Sequence, residues 1–222
     1  MPRRNQAWKL PGALREDQPQ HVRPAVDSPR MRLFVGIPLS LKVRGELAAV
    51  LAPAMSRADG WRSASAESWH ITLQFLGETT QEKRELVSAL LRSVQSPTVA
   101  VQINELDFFE RAGIFLAGVS LSPKLAALYQ KVTEAATQSG FAPETRAFHP
   151  HITLARTKDK IQGPTLRALR EKLPARPEFS RFIADEFLLF ESFLSPAGAR
   201  YEIRERFALT PDRTSARTTG CR

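Results

Sequence analysis

The tetrapeptide His-Ile-Thr-Leu occurs twice, at 70–73 and 151–154, and the segments that lead up to the two copies match in kind. Met31 lies 39 residues before His70 (70 − 31 = 39), and Gly113 lies 38 before His151 (151 − 113 = 38). Each stretch reads as a strand, a helix and then a strand bearing the motif. Self-similarity of this kind marks two like units packed face to face. The chain is therefore expected to form two related lobes, about 31–109 and 113–209, with matching tetrapeptides across one cleft.

The local signals support that outline. MRLFVGIPL (31–39) is a compact apolar run ending near a proline, as a buried strand does. Ser40 is placed to cap a helix with apolar positions Leu41, Leu47, Val50 and Leu51. WHITLQFLG (69–77) alternates as a strand, and Thr79 with Glu82 has the spacing of a capping box that opens a helix to about Ser93. VAVQINELDFF (99–109), GIFLAGVSL (113–121) and FHPHITLAR (148–156) are further strands. Ser122 and Pro123 open a second long helix that Gly140 closes. A short helix follows Pro164, and strands at about 183–193 and 201–209 end the folded part.

Composition bounds the rest. Hydrophobic residues are 42% and charged residues 25%, enough for a globular core, and no run approaches the roughly 18 apolar residues of a membrane span. Residues 1–30, rich in Pro, Arg and Gln, carry six basic and three acidic side chains (+3) and read as a disordered extension without a secretory h-region. Residues 211–222 carry three basic and one acidic side chain (+2) and read likewise as a disordered tail. The body, 31–210, keeps 9 − 3 − 2 = +4 of the net charge. A mildly basic body with basic ends suits a polyanion such as RNA. Cys221, the single cysteine, cannot pair within the chain, and a reducing cytoplasm is its simplest setting. Nothing in the pattern calls for an obligate protein partner, and a monomer is expected.

The tetrapeptide has its own chemistry. On a strand, residues two apart share a face, so His and Thr face the cleft while Ile and Leu enter the core. Imidazole titrates near 6.5, so one of two facing rings can be neutral and the other charged at neutral pH. The neutral ring can take a proton from water while the charged ring gives one to a leaving alkoxide. Thr72 and Thr153 can donate hydroxyl hydrogen bonds to a phosphate oxygen on which charge grows. Arg156 stands at an odd offset from His151, and reaches that phosphate only where the strand ends or bends. The scheme needs no metal and no cofactor. His149, two before His151, has no carboxylate or cysteine at ligand spacing and reads as a rim or core residue rather than a metal ligand. His21 falls in the extension and is expected to be idle.

Among the aromatics, Phe75 is expected in the core and Trp69 facing away from the cleft, and Phe109 is left unassigned. A base-stacking role is left to Trp61 or Phe148. Arg62, Lys158 and Lys160 flank the motifs and are candidates for tracking an RNA backbone.

MRLFVGIPL, WHITLQFLGE and FHPHITLARTK, together with the closing LLFESFLSPAGARYEIRERFAL, resemble the RNA 2′,3′-cyclic phosphodiesterases, historically called 2′-5′ RNA ligases, of the two-histidine phosphoesterase superfamily. The resemblance spans about 31–210. It implies a bilobal α/β (α+β) fold with antiparallel sheets around a central cleft. It also implies hydrolysis of a terminal 2′,3′-cyclic phosphate on RNA to a 2′-phosphomonoester, with reversible 2′-5′ joining as a related activity. It assigns His70 and His151 as the catalytic pair, His151 as base and His70 as acid, and Thr72, Thr153 and Arg156 as phosphate contacts. Small cyclic nucleotides or 2′-5′ oligonucleotides are the alternative substrates, and a silent RNA-binding module is the alternative function.

Overall fold

The computed structural model describes residues 30–56, 58–157, 163–175, 177–195 and 198–211. The extension before Arg30, most of the tail, and Lys158 and Lys160 lie outside the described residues.

In chain order the elements are β1 (Met31–Pro38), α1 (Leu41–Met55), β2 (Trp61–Ser63), β3 (His70–Thr79), α2 (Gln81–Arg92), β4 (Val99–Val101), β5 (Ile103–Phe109) and β6 (Ile114–Val119). There follow α3 (Pro123–Gln138), β7 (His151–Thr157), α4 (Gly163–Arg170), β8 (Phe182–Ala184), β9 (Glu186–Ser195) and β10 (Gly198–Ala208). The long strands run in the order β10-β9-β1-β3-β7-β6-β5, with β2 beside β7, and every pairing among them is antiparallel. One lobe is β10-β9-β1-β3 and the other is β2/β7-β6-β5. The C-terminal hairpin thus returns to complete the first lobe. β4 and β8 fall at the starts of the strands expected at 99–109 and about 183–193, but they separate from them and form a two-stranded pair of their own. No helix among the described residues is long and apolar enough to cross a membrane.

The two lobes meet where the motifs do. β3 and β7 pair through Ile71↔Ile152 alone, and both isoleucines are fully buried. On either side of that pair the antiparallel register sets His70 against Thr153 and Thr72 against His151. The main core lies between the sheet and the helices, which contribute Val43, Leu47, Leu51 and Ala54 from α1 and Leu125, Leu128 and Val132 from α3. Leu41, placed by the sequence on the apolar stripe of α1, is instead 82% exposed, because the stripe that meets the core starts at Val43. Ser40 and Ser122 cap α1 and α3 as expected, accepting from the amides of Val43 (3.3 Å) and Leu125 (3.2 Å).

Each motif strand carries a bulge at the same place. Gly36 faces Thr72 but Val35 faces Gln74, so Leu73 is extra. Leu116 faces Thr153 but Phe115 faces Ala155, so Leu154 is extra. Leu73–Gln74 and Leu154–Ala155 are accordingly buried in succession, and the alternation resumes one residue late. A second irregularity in β3, at Leu76, lets that strand run on to Thr79, which pairs with Met31. The helix cap is therefore Thr80, which accepts from the amide of Lys83 (3.4 Å), rather than Thr79, whose hydroxyl donates to the Gly77 carbonyl (3.0 Å).

Because the two halves of the sheet pair at one fully buried residue pair, truncating it is expected to be costly. Ile152→Ala should lower stability by about 2–5 kcal/mol in a urea unfolding series. A loss below about 1 kcal/mol would mean that the joint is carried elsewhere.

Candidate active site

β3 and β7 present His70, Thr72, His151 and Thr153 on the face opposite the helices. All four are partly exposed, while the Ile and Leu of each motif are buried. The sequence-derived division of the tetrapeptide into a cleft pair and a core pair holds in both copies. Each imidazole is fixed in the same way: Nδ1–H of His70 donates to the Ser68 carbonyl at 2.7 Å, and Nδ1–H of His151 donates to the His149 carbonyl at 2.7 Å. A carbonyl can only accept, so both neutral rings carry their proton on Nδ1 and keep Nε2 as the available base. His149 is exposed at the rim, and its backbone contributes the anchor. Among the described residues no group of three or more His, Cys, Asp or Glu is arranged to hold a metal ion.

The surroundings of the two rings differ. His70 lies among Phe34 (ring centroids 4.6 Å), Tyr201 (5.2 Å, edge-on) and Phe190 (5.6 Å). Burial pushes its pKa down to about 4, with the Ser68 carbonyl pulling back up and the His151 charge adding to the depression. His151 meets one ring, Phe109, edge-on at 4.9 Å. Its pKa is also lowered, first by burial and then by the charges of Arg156 and His149, against the upward pull of the His149 carbonyl.

Two glycines make room for this. Gly36 on β1 faces Thr72, and a Cβ there would stand 2.9 Å from the Ile71 carbonyl oxygen and 3.2 Å from Cδ2 of His70. Gly118 on β6 faces His151, and a Cβ there would meet Asn104 Oδ1 and Glu105 Cγ, both at 3.0 Å. Neither glycine nor the aromatic nest of Phe34, Phe190 and Tyr201 was singled out from the sequence. The glycines had a legible signal: Gly36 precedes the capping Ser40 by four residues, as Gly118 precedes Ser122.

The bulges decide the next position of each motif strand. On β7 the bulge returns Arg156 to the histidine face, exposed, and its charge bears on both His151 and Tyr201. The bend that the sequence reading required for Arg156 is therefore present. On β3 the same bulge puts Phe75 in the matching place. Phe75 was expected in the core, but it is 63% exposed and stands 6.1 Å from Phe34, because Gln74 has taken the inward slot. Trp61, a candidate for base stacking, is buried in the core. Phe148 is half-buried against Tyr129, stacked at 3.9 Å. Trp69 is buried facing away from the cleft, as expected. Arg62 on β2 lies directly opposite Arg156.

The profile of the 2′-5′ RNA ligase superfamily matches residues 45–192. An RNA 2′,3′-cyclic phosphodiesterase of Thermotoga maritima is 30% identical over 183 residues, 78% of this chain and 92% of that protein. The Escherichia coli protein of the same name is 29% identical over 81% of this chain and 97% of its own length. The crystal structure of Escherichia coli LigT with 3′-AMP superposes with a TM-score of 0.70 at 28% identity, covering 82% of this chain and 99% of that one. The LigT structure with phosphate gives 0.67 at 27% identity. A bilobal sheet with two facing His-x-Thr strands is the architecture of a two-histidine phosphoesterase. The chain belongs to the 2′-5′ RNA ligase superfamily.

The His70 imidazole, largely desolvated by its aromatic neighbours, makes stability sensitive to acid. An unfolded histidine binds its proton near 6.5, whereas folded His70 binds it only near 4. Stability is therefore full above pH 6.5 and falls as the pH drops through the window between the two values, by about 2–3 kcal/mol from this ring. Urea midpoints at pH 7.5 and 4.5 should fall much further in the wild type than in His70→Gln. An equal drop in both proteins would show that His70 is not held neutral by the fold.

Proposed function

We propose that this protein hydrolyses the 2′,3′-cyclic phosphate at an RNA 3′ end to a 2′-phosphomonoester, using His70 and His151 as an acid–base pair and no metal ion. The observation that carries the reading is the Ile71↔Ile152 pairing, which sets two identically anchored His-x-Thr units side by side on one face. The relatives named above agree with it in reaction class.

In this reading Nε2 of His151 takes a proton from water as the oxygen attacks phosphorus. The bond from phosphorus to O3′ breaks, and His70 delivers a proton to O3′. The hydroxyls of Thr72 and Thr153 and the guanidinium of Arg156 hold the non-bridging oxygens, where charge accumulates. A ring with its pKa near 4 is uncharged at neutral pH in the free site, so the acid role needs a cause. The bound phosphate supplies it. The aromatic nest that disfavours a lone imidazolium also strengthens its attraction to an adjacent anion, because both effects grow as the local dielectric falls. His151, less enclosed, responds less and is suited to remain the base. A 5′-hydroxyl in place of water would give a 2′-5′ linkage at the same site. The exposed ring of Phe75 offers a face on which a base can stack. The catalytic body is taken to be 31–210, acting as a monomer in the cytoplasm, a setting that the single cysteine suits.

The test is hydrolysis of an oligoribonucleotide ending in a 2′,3′-cyclic phosphate, in excess EDTA, with the product phosphate located. Wild type should be active and yield the 2′-phosphate, and His70→Ala and His151→Ala should each lose about 10²–10⁴-fold in kcat. Dependence on added metal, or near-normal turnover in either variant, would refute the mechanism. Binding without turnover in all three proteins would favour a silent RNA-binding module.

A further inference from the structure

The motifs are duplicated, but the cleft does not end in the same chemistry on its two sides. Position 75 on β3 and position 156 on β7 follow their histidines by five residues and stand after equivalent bulges, yet one is Phe and the other Arg. On the arginine side β2 adds a second guanidinium. Arg62 and Arg156 are direct partners in an antiparallel pair, so their side chains share a face. Trp61 and Ala155, their chain neighbours, are buried in the core, so the shared face is the cleft. Both arginines are exposed, and among the described residues neither makes an ion pair or hydrogen bond.

Like charges directly opposed across a ladder destabilise a sheet. The like pair Glu202 and Glu191, directly opposed elsewhere in this sheet, is bridged by a counter-charge: Arg204 meets Glu191 at 2.6 Å and Glu202 at 3.1 Å. An uncompensated pair is stable when an anion bridges it, and two planar forks on neighbouring strands suit one phosphate. Cross-strand partners stand about 5 Å apart, so both guanidinium groups can reach one phosphate. Arg156 is the inner member, since its charge acts on His151.

We infer that Arg62 forms a second phosphate subsite, with Arg156 shared between it and the reacting phosphate, and that it takes the internucleotide phosphate on the 5′ side of the terminal nucleotide. The site is then built for the end of a polynucleotide rather than for a free cyclic mononucleotide. This inference rests on the hydrolase reading above and names the substrate class within it.

The experiment compares a nucleoside 2′,3′-cyclic phosphate bearing a free 5′-hydroxyl with the same compound bearing a 5′-methylphosphate. In the wild type the added phosphate should lower KM about 10-fold. Arg62→Gln should turn over the 5′-hydroxyl compound as the wild type does, but lose that 10-fold gain. Its rate on an oligonucleotide should also fall less steeply with salt, by about 0.7 in the log–log slope. Its urea midpoint should equal or exceed that of the wild type, because a like-charge contact is removed. No benefit from the 5′-phosphate in the wild type, or the same benefit in Arg62→Gln, overturns the inference. A lowered midpoint with both substrates weakened alike also overturns it, since Arg62 would then be structural. If neither compound is hydrolysed by the wild type, the hydrolase reading fails. Calorimetric affinity for the 2′-phosphate with and without the 5′-methylphosphate then decides the subsite alone, by the same 10-fold difference.

Discussion

A single residue pair, Ile71 against Ile152, joins the two halves of the sheet and sets the register of everything functional around it. Strand periodicity allows no intermediate answer. A slip of either strand by one residue would turn its histidine into the core and its isoleucine into the cleft. The full burial of these isoleucines and of Leu73 and Leu154 at 3% and 2% holds that choice in place. The apolar half of each tetrapeptide thus fixes where its polar half can act.

Identical tetrapeptides do not make identical histidines. The two Nδ1 atoms are anchored alike, at 2.7 Å on the carbonyl two residues earlier, so the tautomer is common to both. The differences come from neighbouring strands. β1, β9 and β10 surround His70 with Phe34, Phe190 and Tyr201, whereas β5 offers His151 the edge of Phe109. The difference between the two imidazoles therefore arises from the packing of the lobes, with the motif itself left unchanged. Gly36 takes part by omission, since a Cβ there would crowd the Ile71 carbonyl and the His70 ring.

The repeated unit and the facing of its histidines were legible in the sequence because they depend on local features: motif identity, the 39- and 38-residue spacings, and the serines that cap α1 and α3. What escaped depends on strand irregularity and on long-range pairing. A bulge leaves no apolar period to read, so Phe75 was assigned inward and Arg156 could be placed only conditionally. The same irregularity moved the α2 cap from Thr79 to Thr80. Trp61 looked free to stack because nothing local shows that β2 lies along β7 with its indole in the core. The aromatic nest of His70 includes Phe190 and Tyr201, more than a hundred residues away in the chain, and no local pattern could have assembled it.

In the proposed mechanism one phosphate sits between both imidazoles and changes their protonation. NMR titration of the ring nitrogens of His70 and His151, free and saturated with a nucleoside 2′-phosphate, measures this directly. The account predicts two neutral Nδ1–H rings at pH 7 in the free protein, with both pKa values rising in the complex and His70 moving further. A complex in which only His151 responds, with His70 still uncharged down to pH 5, would contradict it.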